Sequence, residues 1–149
     1  MTDSILVHGT AVAIDRAAVL LRGASGAGKS DLALRLIDRG ARLVADDQVE
    51  LRRAEDHVLV GAPAVIAGLI EVRGVGILRL DAVPATRLAL LVDLVSSAEV
   101  ERLPGSRFEE ILGLAVPAIA LAPFEASAVA KLWIACRAFP AWHLPAILG

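Results

Sequence analysis

Cys136 is the only cysteine in the 149 residues, so no internal disulfide can form, and a cytoplasmic location is the default expectation. Aromatic residues make up only 3% of the chain, so the 56% hydrophobic fraction is essentially Ala, Val, Leu and Ile. That fraction exceeds the ~45–50% usual for globular domains. It goes either into an unusually aliphatic core or into apolar surface buried between copies of the chain, and the oligomer is the expectation. Long hydrophobic runs are missing as well. The longest uncharged stretch, Ile111 to Phe124, is too short to span a membrane and holds Pro117 and Pro123. Met1 to Ser4 lack the basic residues that open a signal peptide. A net charge of -2, with both signs spread along the chain, offers no basic surface for nucleic acid. What remains is a single domain, 1–149, long enough for a proper core.

The chain is organised around Gly23-Ala24-Ser25-Gly26-Ala27-Gly28-Lys29-Ser30. This run fits G-x-x-x-x-G-K-[ST], a loop whose glycines let successive backbone N–H groups point inward at phosphate oxygens. Lys29 brings a positive charge to the outer phosphates, and the Ser30 hydroxyl suits a magnesium ion. Context supports the motif. Ala18-Val19-Leu20-Leu21 before it reads as a buried strand. Ser30 to Arg39 after it reads as a helix, with Leu32, Ala33, Leu36 and Ile37 on one face and Gly40 as its stop.

Around this core, residues 4–14 read as a strand, and Arg42-Leu43-Val44-Ala45 as a short strand ending on Asp46-Asp47. Val49 to Arg53 and His57 to Val60 flank Ala54-Glu55-Asp56 as a hairpin. Ala62 to Leu69 has no clear pattern. Ile77 to Leu80, Leu88 to Val95 and Val116 to Ala122 read as further strands, Ser96 to Arg107 as a loop and Phe108 to Leu112 as a short helix. A last helix is expected from about Glu125 to Phe139, with Val129, Leu132, Trp133 and Cys136 on its core face. The sum is an α/β or α+β sheet domain with more strands than helices.

Three further groups bear on chemistry. Asp46-Asp47 suits a magnesium-holding carboxylate next to a base for an attacking hydroxyl, and equally a solvated turn. At a strand end, both side chains can reach one site. In Glu71-Val72-Arg73-Gly74-Val75-Gly76, Glu71 and Arg73 share a side if extended. They form either a metal ligand beside a phosphate clamp or a surface ion pair at a β-bulge. His8 lies mid-strand in apolar surroundings, where a core histidine is the commoner case, and Arg102 sits in the polar loop as a solvated charge. His57 and His143 receive no role.

As a set these residues resemble the catalytic domain of the bacterial HPr kinase/phosphorylase family. The resemblance runs from His8-Gly9 through Gly23–Ser30 and Arg42–Asp47 to Glu71–Leu80, and more weakly through Glu101-Arg102-Leu103 and Phe108–Gly113. It implies a P-loop kinase fold like that of phosphoenolpyruvate carboxykinase, a mixed central sheet with few flanking helices. The implied reaction uses ATP and Mg2+ to phosphorylate a serine of HPr, the phosphocarrier of the sugar phosphotransferase system. Many members reverse it with inorganic phosphate, releasing pyrophosphate. On the resemblance, Lys29 contacts phosphate, Ser30 and Glu71 hold magnesium, and Asp47 is the base. Asp46 is its acidic neighbour, with His8 and Arg102 as further active-site residues, and a hexamer is implied.

Three departures stand out. The chain begins at the kinase core, like short proteobacterial forms that lack the N-terminal domain. Leu80 to Arg87 is short where the family has a longer mobile loop. Ala122-Pro123-Phe124-Glu125-Ala126-Ser127 replaces an arginine- and glycine-containing stretch tied to the reverse reaction. Fewer cations and an added Glu125 should weaken dephosphorylation.

Overall fold

The structure is a computed structural model that describes residues 3–138. Strands β1 (Ser4–Ile14), β2 (Ala17–Arg22), β3 (Arg42–Ala54), β4 (His57–Gly61), β7 (Thr86–Leu94), β8 (Phe108–Ile111) and β9 (Leu114–Leu121) form one sheet in the order β2-β1-β3-β4-β7-β9-β8. A separate hairpin joins β5 (Leu69–Val72) to β6 (Gly76–Arg79), and the helices are α1 (Lys29–Asp38) and α2 (Ala128–Arg137). The sheet curls back on itself, because β7 pairs with β4 through Thr86 and Arg87 and then runs parallel to β2 from Leu88 to Asp93. The expected mixed sheet with few helices is observed.

Strand alternation divides the core into two layers. Val12 and Ile14 of β1 join Val19, Leu21, Leu90 and Val92 under α1 and α2, meeting Leu32, Leu36, Val129 and Leu132. Ala11 and Ala13 turn the other way, to Ala18, Leu20, Val49, Leu51, Val60 and Leu91. Both faces of β2 and of the Ala11–Ile14 half of β1 are therefore covered, which accounts for the apolar runs there. Asp31 near the start of α1 and Arg35 near its end complement the helix dipole, and Arg35 Nε donates to Asp31 Oδ2 at 3.1 Å. The helix stops where the sequence predicts. Gly40 N–H donates to Ile37 O and Ala41 N–H to Leu36 O, both at 3.0 Å, the bond pattern of a Schellman cap.

Three expectations need correction. Phe108 to Leu112 is not a helix; β8 occupies Phe108–Ile111, and Ile111 is buried in the second core layer. Pairing with β9 outweighs the helical preference of Glu109 and Glu110. Arg42–Ala45 and Val49–Arg53 are not separate strands but parts of the 13-residue β3, so Asp46 and Asp47 lie mid-strand. The last helix spans Ala128–Arg137 and starts later than expected. Its core stripe is as expected, and burial pushes the Cys136 thiol up to about 12. In the unassigned stretch, Ala64–Ile66 form one 3-10 turn. Phe139 and His143 lie outside the described residues.

Candidate active site

Residues 23–28 connect the end of β2 to the start of α1. Gly28 takes φ 102°, a left-handed conformation that L side chains rarely adopt, and its carbonyl accepts the Leu32 N–H at 2.9 Å. Lys29 is 8% exposed, and its Nζ donates to Gly23 O at 2.7 Å and Ala24 O at 2.9 Å. The ammonium gathers carbonyls of the loop, which leaves the amides and the positive end of α1 for an anion.

Asp46 is the hub beside this loop. Its Oδ1 accepts from the Ser30 hydroxyl at 3.1 Å and the Thr10 hydroxyl at 2.9 Å, and its Oδ2 accepts from the Glu71 N–H at 3.2 Å. One carboxylate thus joins β1, α1, β3 and the β5–β6 hairpin. Asp46 is 9% exposed and Thr10 1%, so these bonds are sheltered from water. Thr10 is a residue that sequence reading missed. Its signal was faint: a lone hydroxyl in the apolar run Gly9 to Ile14.

Asp47 follows in the chain, and its backbone takes φ 73° in the middle of β3. Regular alternation would send consecutive side chains to opposite faces, and the positive φ breaks it. The strand-end argument for both carboxylates is therefore replaced by a local distortion. Asp47 Oδ1 stands 3.6 Å from His8 Nδ1, and both side chains are exposed. His8 is therefore not the buried core histidine that its apolar surroundings allow. Gly9 is the register partner of Asp47, and a Cβ there would lie 2.9 Å from Leu21 O and 3.0 Å from Leu20 Cδ1. Only glycine lets β1 pass this close to β2.

The other candidates are less drawn in. Glu71 sits on β5 with its backbone on Asp46, but Arg73 falls in the turn after β5, not in extended chain, so the shared side expected of Glu71 and Arg73 does not form. Arg102 is exposed in the 95–107 segment and makes no ion pair among the described residues. Glu125 accepts from Lys131 Nζ at 3.2 Å and from Ser97 Oγ at 3.3 Å, so its charge is offset on the spot. A network unseen in the sequence lies below the loop. Arg22 donates to Asp93 Oδ1 at 2.9 Å and Glu109 Oε2 at 2.6 Å, and Arg107 also donates to Asp93. The Arg22 guanidinium holds the Glu109 carboxyl below its ordinary range, and the two acids hold Arg22 protonated.

Among the described residues, no three His, Cys, Asp or Glu side chains converge to hold a metal. The Ser30 hydroxyl and the Glu71 carboxylate do offer hard oxygen donors. Magnesium takes few protein oxygens and fills its remaining positions with phosphate and water, so this donor set fits that ion.

The HPr Serine kinase C-terminal domain model matches residues 1–136. The chain belongs to that family. It is 48% identical over 118 residues to the HPr kinase/phosphorylase of Peptoclostridium acidaminophilum, covering 76% of this chain and 38% of that protein. It is 43% identical over 133 residues to the HPr kinase/phosphorylase of Caldicellulosiruptor bescii, covering 81% of this chain and 43% of that protein. The chain thus spans about two fifths of the length of these curated relatives. The Hpr(Ser) kinase/phosphatase structure from Coxiella burnetii superposes with a TM-score of 0.79 at 29% identity, covering 89% of this chain and 94% of that one. The fold is therefore that of HPr kinase domains. No helix of the described residues is long and apolar enough to cross a membrane.

Proposed function

We propose that this domain uses ATP and Mg2+ to phosphorylate a serine of an HPr-like phosphocarrier protein. The observation that carries the reading is the Asp46 hub beside the P-loop, with Asp47 and His8 next to it, in a member of the HPr kinase family. A loop that only binds triphosphate has no need of an exposed carboxylate beside it.

Transfer is in-line, and positioning with charge neutralisation supplies most of the acceleration. The amides of Gly23–Lys29 and the Lys29 ammonium hold the β and γ phosphates. Ser30 and Glu71 would hold magnesium, which supplies neutralisation of phosphate charge when bound. Asp46 fixes the Ser30 hydroxyl. Asp47 orients the acceptor serine and takes its proton as the new O–P bond forms and the bond to the ADP oxygen breaks. His8, 3.6 Å from Asp47, is placed to pass that proton to solvent. Arg73, the expected phosphate clamp beside Glu71, or Arg102, by family resemblance, offsets charge on the transferring group.

The reverse reaction, from inorganic phosphate to pyrophosphate, is expected to be weak, because no arginine lies between Ala122 and Ser127. A cytoplasmic homo-oligomer, a hexamer by resemblance, is part of the same reading. Exposed Leu6, Leu34 and Ile134 supply apolar surface for it.

The test is incubation with HPr, ATP and Mg2+ followed by phosphoserine mapping. Asp47→Asn keeps a residue tolerant of positive φ and should keep ATP binding while lowering transfer by ~10²–10⁴. An unchanged rate removes Asp47 from the base role. Labelled ATP bound without transfer to HPr would make the domain a sensor or a kinase for another acceptor.

A further inference from the structure

Phe124 is one of only three phenylalanines in the chain, yet it is 71% exposed. Its ring is not free to wander. A Cβ placed on Gly28 would lie 2.9 Å from Phe124 Cζ and 3.2 Å from Cε1, so the edge of the ring rests against the last glycine of the phosphate loop. The segment is pinned on both sides of the ring. Arg35, itself bonded to Asp31, donates to the Pro123 carbonyl, and Glu125 is held by Ser97 and Lys131. With its edge on the loop and its anchors behind, the ring turns its open surface to a recess of about 450 Å³. Asp31, Arg35, Asp38, Arg39 and Val129 also line this recess.

The position of the recess relative to the phosphates decides its use. In a P-loop the lysine and the Ser/Thr hydroxyl mark the γ end, and the nucleoside leaves from the other end of the triphosphate. The γ end here is the flank of α1 that carries Ser30 and faces Asp46 of β3, where α1 packs against β3 and β5. Phe124 and Val129 lie on the α2 flank. A recess of this size suits a nucleoside. Asp38 and Arg39, which make no side-chain hydrogen bond among the described residues, offer an acceptor and a donor for the polar edge of a base.

We propose that Phe124 and its recess hold the nucleobase of the triphosphate, the base lying on the ring. This rests on the nucleotide reading above and extends it to a residue and a ligand moiety. The experiment measures binding of Mg·ATP and of inorganic tripolyphosphate by calorimetry to wild type, Phe124→Ala, Phe124→Leu and Phe124→Tyr, with thermal melts as a check on folding. The expected result is that wild type prefers ATP and that the Ala and Leu variants lose roughly tenfold in ATP affinity. Tripolyphosphate affinity stays unchanged in both, and the Tyr variant keeps the wild-type preference. Leu retains apolar bulk against Gly28, so its loss separates stacking from loop packing. Equal weakening of both ligands, or no weakening of ATP, overturns the proposal. So does retained ATP affinity with a raised KM for HPr, which would make the ring a protein contact. A wild type that binds tripolyphosphate and ATP equally refutes the base site alone; one that binds neither refutes the nucleotide reading as well.

Discussion

Thr10→Val tests the Asp46 hub with little change of shape. The Thr10 hydroxyl is 1% exposed and donates to Asp46 Oδ1 at 2.9 Å. A hydrogen bond to a charged group contributes about 1.5–3 kcal/mol net. Valine also removes the cost of burying a hydroxyl, and Asp46 keeps the Ser30 and Glu71 donors. The remaining loss is about 1–2 kcal/mol, which for a domain of this size lowers Tm by about 2–8 °C. Transfer to HPr should fall as well, because Asp46 then swings on two donors instead of three. The assay is a double-mutant cycle with Asp46→Asn, read by thermal melts. The bond predicts that Thr10→Val costs much less once the Asp46 charge is gone, a coupling of about 1 kcal/mol or more. If the two substitutions add within about 0.3–0.5 kcal/mol, the carboxylate is not held by Thr10 and the hub is misread.

Two further outcomes are expected. Gly9→Ala forces a methyl to 2.9 Å from Leu21 O, so a strand must shift; we expect a loss of about 1–3 kcal/mol in melts and weaker ATP binding, since β2 leads into the loop. Glu109, held below its ordinary value of 4.5 by Arg22, contributes stability that is complete above about that pH and is lost as pH falls through the lowered value. Melts from about pH 5 to pH 3 should therefore decline less steeply in Glu109→Gln than in wild type, and parallel profiles would rule the Arg22 pair out as a contributor.

The phosphate loop, its flanking strand and helix, and the stop at Gly40 were legible because periods of two and 3.6 and a glycine-rich spacing are local signals. Where the sequence misled, a partner distant in the chain decided the outcome. Glu109-Glu110 prefers a helix in isolation, but β9 offers Pro117, Val116 and Ala115 as register partners. Asp46-Asp47 resembles a turn, but β1 pairs with β3 straight through it, from Ser4↔Arg52 to Ala13↔Arg42. Thr10 could not be joined to Asp46 before that register was known. Arg22, Asp93 and Glu109 lie 71 and 87 positions apart and leave no local trace. The motif residues Lys29, Ser30 and Asp46 were legible and meet around the loop. Arg73 was read from its spacing to Glu71 and Arg102 from resemblance, and they fall on an exposed turn and an exposed surface segment.

The bonds from Lys29 Nζ to Gly23 O and Ala24 O change how an inactive lysine variant is to be interpreted. Two of the three ammonium protons serve as the internal brace of the loop, so replacing Lys29 by methionine removes a scaffold as well as a charge. Lost activity in such a variant reports a misshapen loop and a missing phosphate contact together. Arginine would restore the charge, but its planar fork cannot sit between two carbonyls as a compact ammonium does. For this domain the informative knock-outs are Ser30 and the exposed Asp47, whose side chains take no part in that brace.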